Sequence, residues 1–262
     1  PVLDPDQAEQ DYIDYGKEFP RGVLMFGPPG CGKTYITEAL AKEANTKMYK
    51  LSIGKAGSSY INATSSNIKS AFDYAGELGE KSDRPVFLFM DEIDSLGFDR
   101  STRTDNEDIK QVSTLLQAMD DVRSKNVILV GATNKPDLLD PAVRRRFDQK
   151  EFVGLPDKEV RLSLLKFGLE PKAKGQKLLA DDESLEKIAD MLEGYSNNAI
   201  CNINKDAALN AMRRDRSEID FIDYEKAIKE CEEDKYNEDD YRPEQSKQKN
   251  HGTIGFAPSS AK

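Results

Sequence analysis

The chain has no tryptophan and a single histidine, His251, among its 262 residues. One histidine cannot build an HExxH zinc site or a Ser-His-Asp triad in the body of the chain. There are three cysteines, Cys31, Cys201 and Cys231, far apart and without CxxC spacing. That favours a chain without a disulfide framework and predicts a reducing, cytoplasmic setting. Long apolar runs are missing too. The longest, Val86-Phe87-Leu88-Phe89-Met90, is too short to cross a bilayer, and no secretory leader is expected from the residues at hand. Positive charge is in deficit, with 38 Lys and Arg against 48 Asp and Glu and a net charge of −10. Phosphate-backbone binding depends on Lys and Arg, so nucleic acid is a poor expectation as a bulk partner. No internal repeat or heptad occurs. What remains is 37% hydrophobic and 33% charged residues, enough core for one large or two modest domains.

The strongest positive signal is Gly27-Pro28-Pro29-Gly30-Cys31-Gly32-Lys33-Thr34. It fits G-x-x-x-x-G-K-[ST], a loop whose backbone N–H groups cradle phosphate. A buried-strand pattern, Val23-Leu24-Met25-Phe26, runs into it. A helical pattern with Ile36, Ala39 and Leu40 runs out of it, starting at Tyr35. That strand–loop–helix context is what the motif needs, because the helix start adds its positive dipole end. Lys33 is expected to reach the terminal phosphates and the Thr34 hydroxyl to bind Mg²⁺.

Residues 1–20 read as a polar lead-in, with room for a short helix around Gln7 to Tyr15. A second strand is predicted at 47–53. Ile68, Ala71, Phe72, Ala75 and Leu78 then mark one helix face, with Thr64 or Ser65 as cap. Residues 86–90 read as a strand buried on both faces, ending in Asp91-Glu92. Thr104 and Glu107 suggest a capping box before a helix carrying Val112, Leu115, Leu116 and Met119. Val127-Ile128-Leu129-Val130 is a further strand that leads to Asn134, and 151–153 is a last one. Beyond about Leu155 only helical stripes follow. The expected fold is α/β, a parallel P-loop sheet sandwiched by helices (21–154), followed by a small all-α lid (155–234). Residues 235–262, poor in apolar side chains, are expected to be disordered.

Phosphoryl transfer to water needs a phosphate cradle, a metal, a group that orients the water and positive charge for the transition state. The loop is the first. Asp91 with Thr34 supplies oxygen ligands of the kind Mg²⁺ takes. Glu92 is placed to polarise a water, and Asn134, at a neighbouring strand end, to place it or sense the terminal phosphate. Arg144-Arg145-Arg146 is a candidate for the positive charge.

With those residues in view, the chain resembles an AAA ATPase module of the AAA+ class, from roughly Arg21 to Glu230. The resemblance is carried by residues 21–34, by Phe89-Met90-Asp91-Glu92-Ile93-Asp94, by Gly131-Ala132-Thr133-Asn134, and by Leu139-Asp140-Pro141-Ala142 running into Arg144-Arg145-Arg146-Phe147-Asp148. It implies ATP and Mg²⁺ as cofactors, with nucleotide contacts from residues 27–34 and Tyr35. It implies Asn134 as sensor, and Arg145 and Arg146 as fingers reaching the neighbouring subunit's nucleotide. It further implies a homo-oligomeric ring, typically a hexamer, that remodels, unfolds or disassembles proteins. Tyr60 matches the pore-loop aromatic that grips substrate polypeptide, and residues 97–108 match a second pore loop. Two departures stand out. Asn62 and Ala63 replace the family's Gly and Glu after the pore-loop aromatic. Asn197 and Asn198 replace its Gly-Ala beside the adenine. The unbroken arginine run looks more like the single-ring, membrane-remodelling and microtubule-severing branch. Two other functions stay open at this point, a nucleic-acid motor or clamp loader and a nucleotide-gated scaffold with little turnover.

Overall fold

A computed structural model describes residues 10–12, 14–16, 19–52, 61–96, 106–169, 182–216 and 219–242. Five parallel strands form one sheet in the order β2-β3-β4-β1-β5. They are β1 (Gly22–Phe26), β2 (Met48–Ser52), β3 (Val86–Asp91), β4 (Val127–Thr133) and β5 (Gln149–Phe152). Crossover helices α1 (Lys33–Glu43), α2 (Ile61–Glu80) and α3 (Asn106–Val122) connect them, and the short α4 (Pro141–Arg144) precedes β5.

The strands are apolar on both faces because both faces are covered. Leu24, Leu88 and Met90 pack with Ile68, Phe72, Leu115, Met119 and Phe147, while Met25, Phe89, Val130 and Ala132 pack with Ala41. Successive strand residues point to opposite faces, so one uninterrupted run serves two layers. Helix α2 starts at Ile61, so the Thr64 and Ser65 expected as caps lie inside it. The physical reason is in the spacing: Ile61 is seven residues before Ile68 and continues its stripe for two more turns. The last strand falls at 149–152 instead of 151–153.

A second core belongs to α5 (Lys158–Leu169), α6 (Asp182–Met191), α7 (Asn197–Arg213) and α8 (Phe221–Glu230). Leu165, Ile188, Leu192, Tyr195, Ile200, Ile203 and Tyr224 are among its fully buried members. Buried Arg161 ties α5 into this unit by donating to the carbonyls of Ala189, at 2.8 Å, and Pro156, at 2.9 Å. Residues 235–242, assigned from sequence to a disordered tail, are ordered in the structure. Lys235 forms an antiparallel bridge with Tyr195, and Glu238–Tyr241 makes a helical turn. Composition understated this stretch because Tyr236, Tyr241 and Arg242 are few but each finds an aromatic or charged partner. No helix among the described residues is long and apolar enough to cross a membrane.

Candidate active site

Strand register brings the site together. Phe26 pairs with Thr133 and Phe152, and Met90 pairs with Gly131. Gly27, Asp91, Glu92 and Asn134 therefore leave the same carboxyl edge of a parallel sheet, where such folds place ligands.

The loop that follows β1 needs glycine at its turning points. Gly27 has φ of 144°, and a Cβ there would lie 2.2 Å from the carbonyl oxygen of Val153. Gly30, with φ of 75°, would set a Cβ 2.8 Å from Ser196 Oγ. Gly32, also left-handed, caps α1. Pro28, Pro29 and Cys31 complete the curve. Lys33 is buried, and its ammonium donates to the carbonyls of Gly27 and Pro28, both at 2.9 Å, and to Asn134 Oδ1 at 2.7 Å. Burial lowers its pKa, opposed by the charges of Cys31, Asp91 and Asp94. The Cys31 thiol is pushed up to about 11 by burial; Lys33 works against that shift and Glu238 adds to it. Thr34 is half-buried on the first turn of α1, and Tyr35 beside it is exposed.

Asp91 closes β3. Its Oδ2 lies 3.1 Å from Lys50 Nζ on β2, and its Oδ1 accepts the Glu92 N–H at 3.1 Å. Glu92 has φ of 51°, a left-handed conformation that costs a residue with a Cβ. It turns the chain off the strand and leaves its side chain exposed. Asn134 is steadied from behind. The Thr133 hydroxyl donates to Asp94 Oδ1 at 2.7 Å and accepts the Lys135 N–H at 2.9 Å.

The arginines are not at this edge. The Arg146 carbonyl lies beside Gly22, where a Cβ would come within 2.7 Å of it. That is the amino end of β1, roughly 13 Å of strand from the loop. Arg144 pairs with Asp137 at 3.7 Å, and Arg146 holds Asp120 through two bonds of 3.1 and 3.0 Å. Arg145 is exposed and makes no ion pair among the described residues. Tyr60 and residues 97–105 of the second pore-loop segment lie outside the described residues.

The lid meets the loop directly. The Asn198 N–H donates to the Gly30 carbonyl at 3.0 Å, and Asn197 Nδ2 to the Cys31 carbonyl at 3.1 Å. Asn197 Oδ1 is buried with no partner among the described residues. Sequence reasoning did not assign Lys50, Asp94 or Thr133 to the site. The one available signal was the Asp-Glu-x-Asp spacing at 91–94.

Residues 23–155 match the ATPase family associated with various cellular activities (AAA). The chain belongs to the AAA family of ATPases. It is 36% identical over 209 residues to the cell division cycle protein 48 homolog of Archaeoglobus fulgidus, covering 79% of this chain and 27% of that protein. It is 33% identical over 219 residues to the ATP-dependent zinc metalloprotease FtsH of Chloroflexus aggregans, covering 81% of this chain and 32% of the relative. A second such protein, FtsH 4 of Sphaerobacter thermophilus, is 33% identical over 233 residues, or 87% and 34% of the two chains. The AAA module thus spans about a third or less of each relative.

Proposed function

We propose that this AAA module binds and hydrolyses Mg-ATP, and that it does so within a ring, a hexamer by family resemblance, that remodels protein substrates. The observation that carries the reading is the division of the machinery. Lys33, Thr34, Asp91, Glu92 and Asn134 gather at one edge of the sheet, whereas Arg145 and Arg146 lie at the opposite end of β1. A site whose positive finger is out of its own reach takes that finger from a neighbour.

The residues fit a nucleoside triphosphate. The loop's left-handed glycines let successive N–H groups converge. The three oxygens that now satisfy Lys33 can be replaced by phosphate oxygens. No group of three or more His, Cys, Asp or Glu side chains among the described residues is placed to hold a metal ion by itself. Asp91 and the Thr34 hydroxyl would hold a Mg²⁺ that keeps water and phosphate for its other positions, the habit of that ion. The metal would neutralise phosphate charge. The chain's own residues do the remainder: Lys33 binds the terminal phosphates, Glu92 takes up a proton from the attacking water, and Asn134 orients that water. Arg145 of the adjacent subunit stabilises charge as the terminal phosphoryl group leaves.

Protein, and not nucleic acid, is the proposed substrate, on the net charge of −10 and on Tyr60. The three free cysteines support a reducing, intracellular setting. The deciding experiment is to purify Glu92→Gln with ATP, image it for a ring and identify what co-purifies. A ring holding protein is expected. A monomer that hydrolyses ATP at full rate would overturn the ring, and stimulation by DNA or RNA at physiological salt would overturn the substrate assignment.

A further inference from the structure

The 235–242 strap crosses from the lid to the sheet beside the phosphate loop. At its lid end, Lys235 bridges Tyr195, with its ammonium 5.2 Å from that ring's centre. The Tyr236 N–H donates to the Gly194 carbonyl at 2.8 Å. Gly194 and Tyr195 open the turn that leads into α7, and the same turn delivers Ser196, Asn197 and Asn198 to the loop. At its other end, Glu238 Oε1 accepts the Leu155 N–H at 2.6 Å. Leu155 lies in the short connection between β5 and α5, the hinge between the two cores. Glu238 Oε2 pairs with Arg242 at 3.3 Å, and the Arg242 guanidinium stacks 4.3 Å from the centre of the Phe152 ring. Phe152 in turn packs on Phe26, 5.4 Å between ring centres, the last residue before the loop. Gly154 makes room for the carboxylate, since a Cβ there would lie 2.4 Å from Glu238 Oε1.

One turn of the lid, 194–198, is therefore gripped from two sides. The strap holds it at Gly194 and Tyr195, and the phosphate loop holds it at Asn197 and Asn198. The strap's only anchor on the hinge backbone, among the described residues, is the Glu238 carboxylate. The charge of Glu238 also reaches Cys31 inside the loop, adding to the burial that raises that thiol's pKa.

We infer that Glu238 is a positioning residue of the nucleotide site: by tying the hinge at Leu155 to the 235–242 strap, it holds the lid's Asn197 and Asn198 on the phosphate loop and sets how fast nucleotide leaves. The inference rests on the reading of residues 27–34 as an ATP-binding loop. Glu238 touches none of the groups assigned to hydrolysis, so it governs affinity and not the chemical step. Its carboxylate accepts a backbone N–H, and a neutral carboxamide oxygen can do the same. Charge is secondary to having an acceptor at that point.

The test compares Glu238→Ala with Glu238→Gln in the full chain, using release of a fluorescent ADP analogue by stopped flow, ATP turnover and thermal melting. Loss of one well-aligned hydrogen bond predicts about tenfold faster release for Glu238→Ala. KM should rise while kcat stays within about twofold, since only ground-state binding is touched. Glu238→Gln should release within about twofold of wild type. A role confined to stability would lower the melting temperature of Glu238→Ala and leave release unchanged, and that result overturns the inference. So would equal loss in Glu238→Gln and Glu238→Ala. If Glu238→Ala does not fold, Arg242→Ala decides. It removes the guanidinium from both Glu238 and Phe152 and should speed release about threefold; no change overturns the inference. Wild-type chain that binds no nucleotide would instead defeat the ATP-site reading and this inference with it. The two failures are thus distinguishable.

Discussion

Placing Arg145 at the far end of β1 from its own phosphate loop makes a sharp prediction about mixtures. Arg145→Ala alone should lose the 10³–10⁵-fold acceleration that a finger supplied in trans contributes, about 4–7 kcal/mol of transition-state stabilisation. Glu92→Gln alone should also be inactive, because its water is not activated. The two defects lie on opposite faces of the subunit, so in a ring one protomer can supply what its neighbour lacks. In a closed heterologous ring mixed one to one, half the sites have an intact Glu92 and half of those receive an intact Arg145. Roughly a quarter of wild-type turnover should return, provided subunits assemble at random. The assay is steady-state phosphate release from the two variants, mixed under conditions that let subunits exchange. Mixtures as inactive as the parents, or an Arg145→Ala protein that is active alone, would refute the trans arrangement. Arg146 provides the contrast. It is already held by Asp120 in its own subunit. That pair is half exposed and worth less than about 1 kcal/mol, so releasing Arg146 toward a neighbour is cheap.

Other consequences follow from the loop and its supports. Cys31, raised from 9.0 to about 11, contributes stability that is fully present below the unfolded thiol's pKa and lost as pH rises toward 11. Urea melts should therefore show a steeper alkaline decline for wild type than for Cys31→Ala. The same protonated thiol predicts slow alkylation of native Cys31 at pH 8, read by mass spectrometry against unfolded protein. Gly27→Ala places a Cβ 2.2 Å from the Val153 carbonyl oxygen and should cost more than about 2 kcal/mol in a urea melt, with loss of nucleotide binding. Thr133→Val keeps the shape but leaves Asp94 and the Lys135 N–H without their shared partner. It should cost about 1–3 kcal/mol and lower turnover more than nucleotide affinity, because Asn134 is displaced.

The sheet was legible because its strands are uninterrupted apolar runs closed by chemistry-bearing residues. Val23 to Phe26 feeds Gly27, and Val86 to Met90 feeds Asp91. Strand ends in a parallel sheet share one edge, so three separated motifs could be placed together without any side-chain geometry. What could not be read was the support around them. Lys50 and Asp91 are neighbours only because β2 pairs with β3 in one register. Thr133 and Asp94 meet only because the turn at Ile93–Leu96 folds under β4. Glu238 contacts Leu155 across 83 positions of sequence. Such pairings have no period, and composition pointed the wrong way for 235–242. The arginine run shows a subtler limit. Sequence makes Arg144, Arg145 and Arg146 equivalent cations, whereas Asp137 and Asp120 occupy two of them and leave the third exposed.

The two cores are separate apolar clusters joined by a polar seam. Each is closed on its own apolar cluster, and neither needs the other to bury its large side chains. The contacts that join them at the loop and at the hinge are polar: Asn198 to Gly30, Asn197 to Cys31, Glu238 to Leu155. A hydrogen bond exchanged for one to water or phosphate changes free energy by only about 1 kcal/mol, whereas opening an apolar seam of similar extent costs several. Polar inter-domain seams are accordingly the ones across which domains shift. Asn197 sits at this seam with one carboxamide oxygen buried and without a partner among the described residues. The phosphate loop and the lid are thus joined through two carbonyls of the loop itself, Gly30 and Cys31, which accept from Asn198 and Asn197.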